Sequence, residues 1–139
     1  EDLNPDGFYR WPVNQRMTSM MAPTLLISPE GQKICLGSGG SNRLRTAILQ
    51  VLINIIDFGM NLDQAVNLPR VHVEKDWLNV EPGFEADVLR PVLDEFSNSR
   101  IWRQQNMFFG GVHAVSEQDR RFNGAGDRRR AGVAMEVAD

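Results

Sequence analysis

Apolar residues recur at spacings of three and four from Leu44 through Ala47, Ile48, Val51, Leu52, Ile55 and Ile56, which puts them on one face of a helix. Gly59 follows as its stop, since glycine adopts the left-handed conformation that ends helices. Ser41 or Asn42 is the expected cap, because a short polar side chain accepts from the free N–H groups of the first turn. Upstream, Thr24-Leu25-Leu26-Ile27 and Lys33-Ile34-Cys35-Leu36 flank Ser28-Pro29-Glu30-Gly31. Proline presets φ and glycine tolerates positive φ, so the stretch reads as an antiparallel hairpin.

Downstream the signals are shorter. Asn61 caps an expected helix from Leu62 to Asn67, with Pro69 as terminator. Val71-His72-Val73 and Leu78-Asn79-Val80 read as brief strands. From Glu85 to Phe96 the spacing of Leu89, Val92, Leu93 and Phe96 is helical, but Pro91 removes a bond and clashes in a helix interior, so the regular helix is expected from Arg90 or Pro91. Gly111–Ser116 and Gly132–Val137 flank a polar turn and are positioned to close a second hairpin. The first 15 residues carry Phe8, Tyr9 and Trp11 among Pro, Asn and Gly, a loop expected to lie on the core. The order predicts an α+β fold, helices on an antiparallel sheet, in a single domain over residues 1–139.

Composition narrows the function classes. Eighteen acids against 15 bases give a net charge of −3, so the chain as a whole has no electrostatic case for nucleic acid or a membrane surface. Ala47–Phe58, the longest mostly apolar run, is broken by Gln50, Asn54 and Asp57 and falls short of the roughly 20 residues a span requires. Cys35 is the single cysteine, which excludes an internal disulfide. The amino terminus has neither the basic nor the apolar region of a secretion signal, leaving cytoplasm and periplasm both open.

Three stretches carry candidate chemistry. In Gly37-Ser38-Gly39-Gly40-Ser41-Asn42-Arg43 a strand passes through glycines into a helix, where the backbone can approach a ligand and free N–H groups suit an anion or oxyanion. The same pattern also serves as a structural tight turn with a cap, and it lacks the lysine of a phosphate-binding loop. Arg16-Met17-Thr18-Ser19-Met20-Met21-Ala22-Pro23-Thr24 places hydroxyls ahead of a strand. They read as local turn bonds, or as a serine nucleophile if the fold supplies a histidine. Arg128-Arg129-Arg130 follows Asp127 and reads as a solvated or ion-paired loop rather than a nucleic-acid patch. His72 and His113 stand apart with no cluster around either, so no metal or cofactor is expected.

The same stretches occur in order in a known family. Arg16–Thr24, Leu36–Arg43 with its helix, Ile56-Asp57-Phe58-Gly59-Met60-Asn61-Leu62 and Ala65-Val66-Asn67-Leu68-Pro69-Arg70-Val71-His72 resemble the small-subunit region of γ-glutamyltranspeptidases. Gly124–Gly132 resembles that family's carboxy-terminal Asp-Pro-Arg-Arg-x-Gly segment. The resemblance implies a partial αββα N-terminal-nucleophile sandwich whose first strands are missing. It implies an enzyme in which autocatalytic cleavage exposes a threonine. That threonine takes the γ-glutamyl group from glutathione or a related amide as an acyl-enzyme, and water or an acceptor amine releases it. Some relatives act instead as cephalosporin or glutaryl acylases.

Site roles follow from the same resemblance. Gly39, Gly40 and Ser41 lie at the segment that forms the oxyanion hole, and an ungapped match pairs the family's two glycines with Gly40 and Ser41. Ser19 stands where the first of two serines helps to bind the substrate α-carboxylate. The second serine position is Met20, which lacks the hydroxyl. Asp2, with Glu1 as the lesser candidate, matches the acidic residue that holds the substrate α-amino group. The nucleophile motif, a Thr-Thr-His-x-Ser-like start, is not in this chain. By resemblance the chain is the distal part of a small subunit, inactive alone, whose partners are the large subunit and the amino-terminal part of the small subunit, with self-association through uncovered surface. The rival reading is a non-catalytic domain that keeps the fold and binds an anion or a partner.

Overall fold

A computed structural model describes residues 6–137. Two sheets and three helices are present among them. The larger sheet has the order β1-β2-β6-β7, from β1 (Thr24–Ile27), β2 (Lys33–Ser38), β6 (Val112–Gln118) and β7 (Arg121–Ala125). Every pairing in it is antiparallel. Side chains alternate across a sheet, so Leu26, Ile34, Leu36, Val112, Ala114 and Ala125 turn to one face. There α1 (Arg43–Ile56) and α2 (Leu62–Asn67) cover them with Leu44, Ala47, Ile48, Val51, Leu62, Ala65 and Val66. The expected hairpin forms, with Gly31 at φ 87° and its N–H on the Ser28 carbonyl at 3.0 Å.

Among the described residues the opposite face of this sheet is largely uncovered, with only the segment around Ala134 lying against it at Gly124. Leu25, Ile27, Val115 and Phe122 are 59%, 60%, 56% and 73% exposed, with the thiol-bearing Cys35 exposed among them. Contiguous exposed apolar side chains of this kind are uncommon on a monomeric surface.

The smaller sheet, β3 (Val71–Glu74), β4 (Trp77–Val80) and β5 (Asn98–Ile101), pairs β3 with β4 antiparallel and β4 with β5 parallel. Helix α3 (Ala86–Asp94) makes the crossover that a parallel pair needs.

Four expectations are corrected. α3 begins at Ala86 and keeps Pro91 inside it. None of its residues is buried, so water can satisfy the carbonyl that proline leaves without a donor. The partner of β6 is Arg121–Ala125 rather than Gly132–Val137: Asp119 and Arg120 both take positive φ, 51° and 63°, as a two-residue turn matched to strand twist requires. Residues 132–137 form no strand. Phe8 and Tyr9 are 91% and 103% exposed, so the amino-terminal loop does not rest them on the core.

The fourth correction concerns the cap of α1. Asn42 occupies the cap position but makes no capping bond, although its amide reaches Glu74 at 3.5 Å. A capping side chain needs an extended backbone, whereas Asn42 is helical at φ −57° and Ser41 is left-handed at φ 52°. The second cap is as expected, with Asn61 Oδ1 accepting from the Gln64 N–H at 2.9 Å.

Candidate active-site loop

The turn between β2 and α1 is wound by its own carbonyls. Arg43 N–H donates to the Gly40 carbonyl at 3.2 Å and Leu44 N–H to the Ser41 carbonyl at 3.1 Å. Among the described residues, the N–H groups of Gly40 and Ser41 meet no acceptor. Two adjacent free donors at the positive end of a 14-residue helix suit a developing negative charge. Glycine is required at 40: its φ is 134°, and a Cβ there would lie 3.2 Å from Gly110 Cα.

The stretch ahead of β1 reaches this turn through Met20. The Ser41 hydroxyl lies 3.8 Å from the Met20 sulfur, so two segments 21 residues apart meet at the candidate donors. Ser19 neighbours that contact and accepts from the Met21 N–H at 3.1 Å, the local turn bond that its sequence context suggested. Asp2 and Glu1 lie outside the described residues. Arg130 lays its side chain along the turn, with its guanidinium carbon 3.5 Å from a Cβ built on Gly39.

Behind the turn is a cluster of four buried charges. Arg70 meets Asp127 at 2.8 Å, Arg129 meets Asp127 at 3.2 Å, and Arg129 also forks onto Glu81. Their remaining bonds go to backbone: Arg70 to the carbonyls of Val66 and Phe109, Arg129 to those of Val66 and Leu68. Glu81 accepts from the N–H groups of Arg70 and Asn106. Asp127 accepts from the N–H groups of Val112 and Arg129. Burial pushes the Asp127 carboxyl up, but Arg70, Arg129 and the two backbone donors outweigh it and hold the pKa below 3.8. Burial and the nearby Arg129 lower the pKa of Arg70. For Arg129 burial is outweighed by Glu81 and Asp127, and the pKa is raised.

The ion-paired reading of Arg128–Arg130 thus holds for Arg129, while Arg128 reaches Asp63 at the surface at 3.6 Å. Sequence reasoning missed Glu81 as a partner of Arg129 and Arg70 as a second partner of Asp127. The only available signal was an unexplained acid directly before Pro82-Gly83 and an arginine after Pro69.

The histidines form no serine pair among the described residues. His72 is buried, with Nδ1 2.8 Å from the Thr46 hydroxyl and Nε2 without a partner. His113 Nδ1 accepts from the Asp127 N–H at 3.4 Å. The described residues contain no group of three or more His, Cys, Asp or Glu able to hold a metal, and no helix among them is long and apolar enough to cross a membrane.

Comparison with known proteins agrees with this architecture. Residues 1–137 match the gamma-glutamyltranspeptidase family, and the chain belongs to it. It is 39% identical over 79 residues to the glutathione hydrolase proenzyme of Escherichia coli strain K12, covering 55% of this chain and 14% of that one. Against the glutathione hydrolase proenzyme of Pseudomonas sp. strain A14 it is 30% identical over 138 residues, covering 87% of this chain and 23% of the relative. The chain therefore spans less than a quarter of the length of these relatives. Among solved structures, the γ-glutamyltranspeptidase of Pseudomonas nitroreducens complexed with L-DON superposes with a TM-score of 0.75 at 28% identity, over 92% of this chain and 67% of that one.

Proposed function

We propose that this chain is the distal part of the small subunit of a γ-glutamyl hydrolase or transferase, and that its glycine turn supplies the oxyanion donors. The observation that carries the reading is the pair of free N–H groups at Gly40 and Ser41, at the mouth of α1 in a chain of this family. In the reaction a threonine hydroxyl outside this chain attacks the γ-carbonyl of glutathione or a related amide. Its own amino group takes the proton, and the carbonyl oxygen becomes an anion between the two donors. Collapse expels the amine, which leaves with that proton. Water or an acceptor amine then attacks the ester and frees the threonine.

In this reading Ser19 and Asp2 hold the glutamyl carboxylate and amine, Met20 forms the wall between Ser19 and the turn, and the rest of the enzyme covers the exposed sheet face. The test is p-nitroaniline release from γ-glutamyl-p-nitroanilide. The isolated chain should release none, and the chain expressed with the threonine-bearing remainder should. Release by the pure chain, lost on Ser19→Ala, would overturn the assignment of the nucleophile to another segment.

A further inference from the structure

A peptide plane points its carbonyl and its N–H in opposite directions. Whatever holds the carbonyl oxygen of Gly39 therefore aims the N–H of Gly40, and whatever holds that of Gly40 aims the N–H of Ser41. The second plane is fixed by the helix itself, because the Arg43 N–H donates to the Gly40 carbonyl. The first plane depends on one side chain. The Ser38 hydroxyl donates to the Gly39 carbonyl at 3.2 Å.

The same hydroxyl accepts from the Gly111 N–H at 3.2 Å, so its one proton and one of its lone pairs both go to backbone. Gly111 is a firm anchor. On one side of the Gly110-Gly111 pair, Arg70 donates to the Phe109 carbonyl at 3.2 Å; on the other, the Val112 N–H donates to Asp127 at 2.8 Å. Arg70 is 2% exposed and Asp127 is fully buried. Gly110, at φ 82°, has no room for a side chain, since a Cβ would lie 3.0 Å from the Ser38 oxygen and 3.3 Å from the Gly39 carbonyl.

We propose that Ser38 is a positioning residue for catalysis: its hydroxyl ties the Gly39–Gly40 peptide plane to the anchored Gly111 and so aims the Gly40 N–H at the oxyanion. The assignment rests on the reading of Gly40 and Ser41 as the donors. Without the hydroxyl, the Gly39 carbonyl has no donor among the described residues and its plane can rotate, which moves the opposite N–H off target. Reaction rate is sensitive to that aim while ground-state binding is not.

The experiment uses the full-length proenzyme, with Ser38→Ala, Ser38→Val, Ser38→Thr and Gly40→Val measured together for kcat, KM and thermal unfolding. Threonine and valine match in shape and differ by the hydroxyl; alanine adds no bulk. Ser38→Ala and Ser38→Val should lose about tenfold or more in kcat per folded molecule with KM nearly unchanged, while Ser38→Thr keeps most of it. Normal kcat in Ser38→Ala, or equal kcat in the valine and threonine variants, would overturn the proposal. If Gly40→Val also turns over normally, the donor reading itself falls; if Gly40→Val fails while the Ser38 variants do not differ, only the role of Ser38 falls.

Discussion

Replacing Gly40 by valine separates an oxyanion turn from a structural one. The backbone there has φ 134°, outside the range that β-branched residues tolerate. A Cβ would sit 3.2 Å from Gly110 Cα and 3.7 Å from the Arg130 guanidinium, before the two methyl groups of valine are added. Holding a residue in such a conformation costs about 1–3 kcal/mol, which a domain of 139 residues can lose and remain folded at room temperature. Valine keeps its N–H, but its side chain blocks close approach of the oxyanion, and losing the contact of one oxyanion donor costs about 2.7–4 kcal/mol in the transition state, roughly a hundred- to thousandfold in rate. Strain therefore lowers the melting temperature by several degrees, while turnover per folded molecule falls much further than the folded fraction does. Turnover of γ-glutamyl-p-nitroanilide by the full-length enzyme, normalised to folded protein by thermal unfolding in the same buffer, measures both. A destabilised variant with near-normal turnover per folded molecule would refute the donor assignment, because a purely structural turn predicts that pattern.

Asp127→Asn leaves Arg70 and Arg129 with one buried carboxylate between them and should cost about 3–5 kcal/mol, read as a lower urea midpoint. Since Asp127 has its pKa held below 3.8, its charge contributes fully above that pH and the contribution is lost as pH falls through the folded-state value; the gap between wild type and variant should close in that acid range and stay constant at neutral pH. For His72, burial lowers the pKa below 6.5, with Glu74 opposing and Arg43 and Arg45 adding to the shift. The unfolded chain therefore takes up a proton first as pH drops below 6.5, and stability declines until the folded-state pKa is passed; His72→Gln should flatten that slope in unfolding scans between pH 7 and 5. The uncovered face of β1, β2, β6 and β7 should make the isolated chain self-associate, and Val115→Lys with Phe122→Lys should reduce its mass in light scattering. A wild-type chain that stays monomeric at high concentration would count against this.

The features readable in the sequence are those set by near neighbours in the chain. Helix α1 follows from seven apolar positions on one face, and the first hairpin from a Pro-Glu-Gly turn whose glycine takes the positive φ expected of it. The second hairpin was misread because its turn puts Asp119 and Arg120 in a conformation usually given to Asn-Gly, so no local residue announces it. Strand β5, Asn-Ser-Arg-Ile, is too polar at an edge position to show alternation, and only its parallel partner β4 makes it a strand.

The candidate site divides along the same line. The glycine turn was legible because glycines leading into a helix define a local backbone shape, whereas its support is long-range. Arg70, Glu81 and the Asp127–Arg129 turn come from three places between positions 70 and 129, and each charge is individually unremarkable until the fold removes water from all of them. Such a cluster adds little net stability over an apolar core. What it does supply is direction: guanidinium and carboxylate groups bond backbone at fixed angles, as apolar side chains cannot. Five of the backbone groups they hold belong to Val66, Leu68, Asn106, Phe109 and Val112, which fasten the end of α2 and the approach to β6 around the glycine pair that backs the turn. The proposed pair of N–H donors gains from that directional anchoring; sequence neighbourhood pointed to Arg129 beside Asp127, whereas Arg70 and Glu81 join them only through folding.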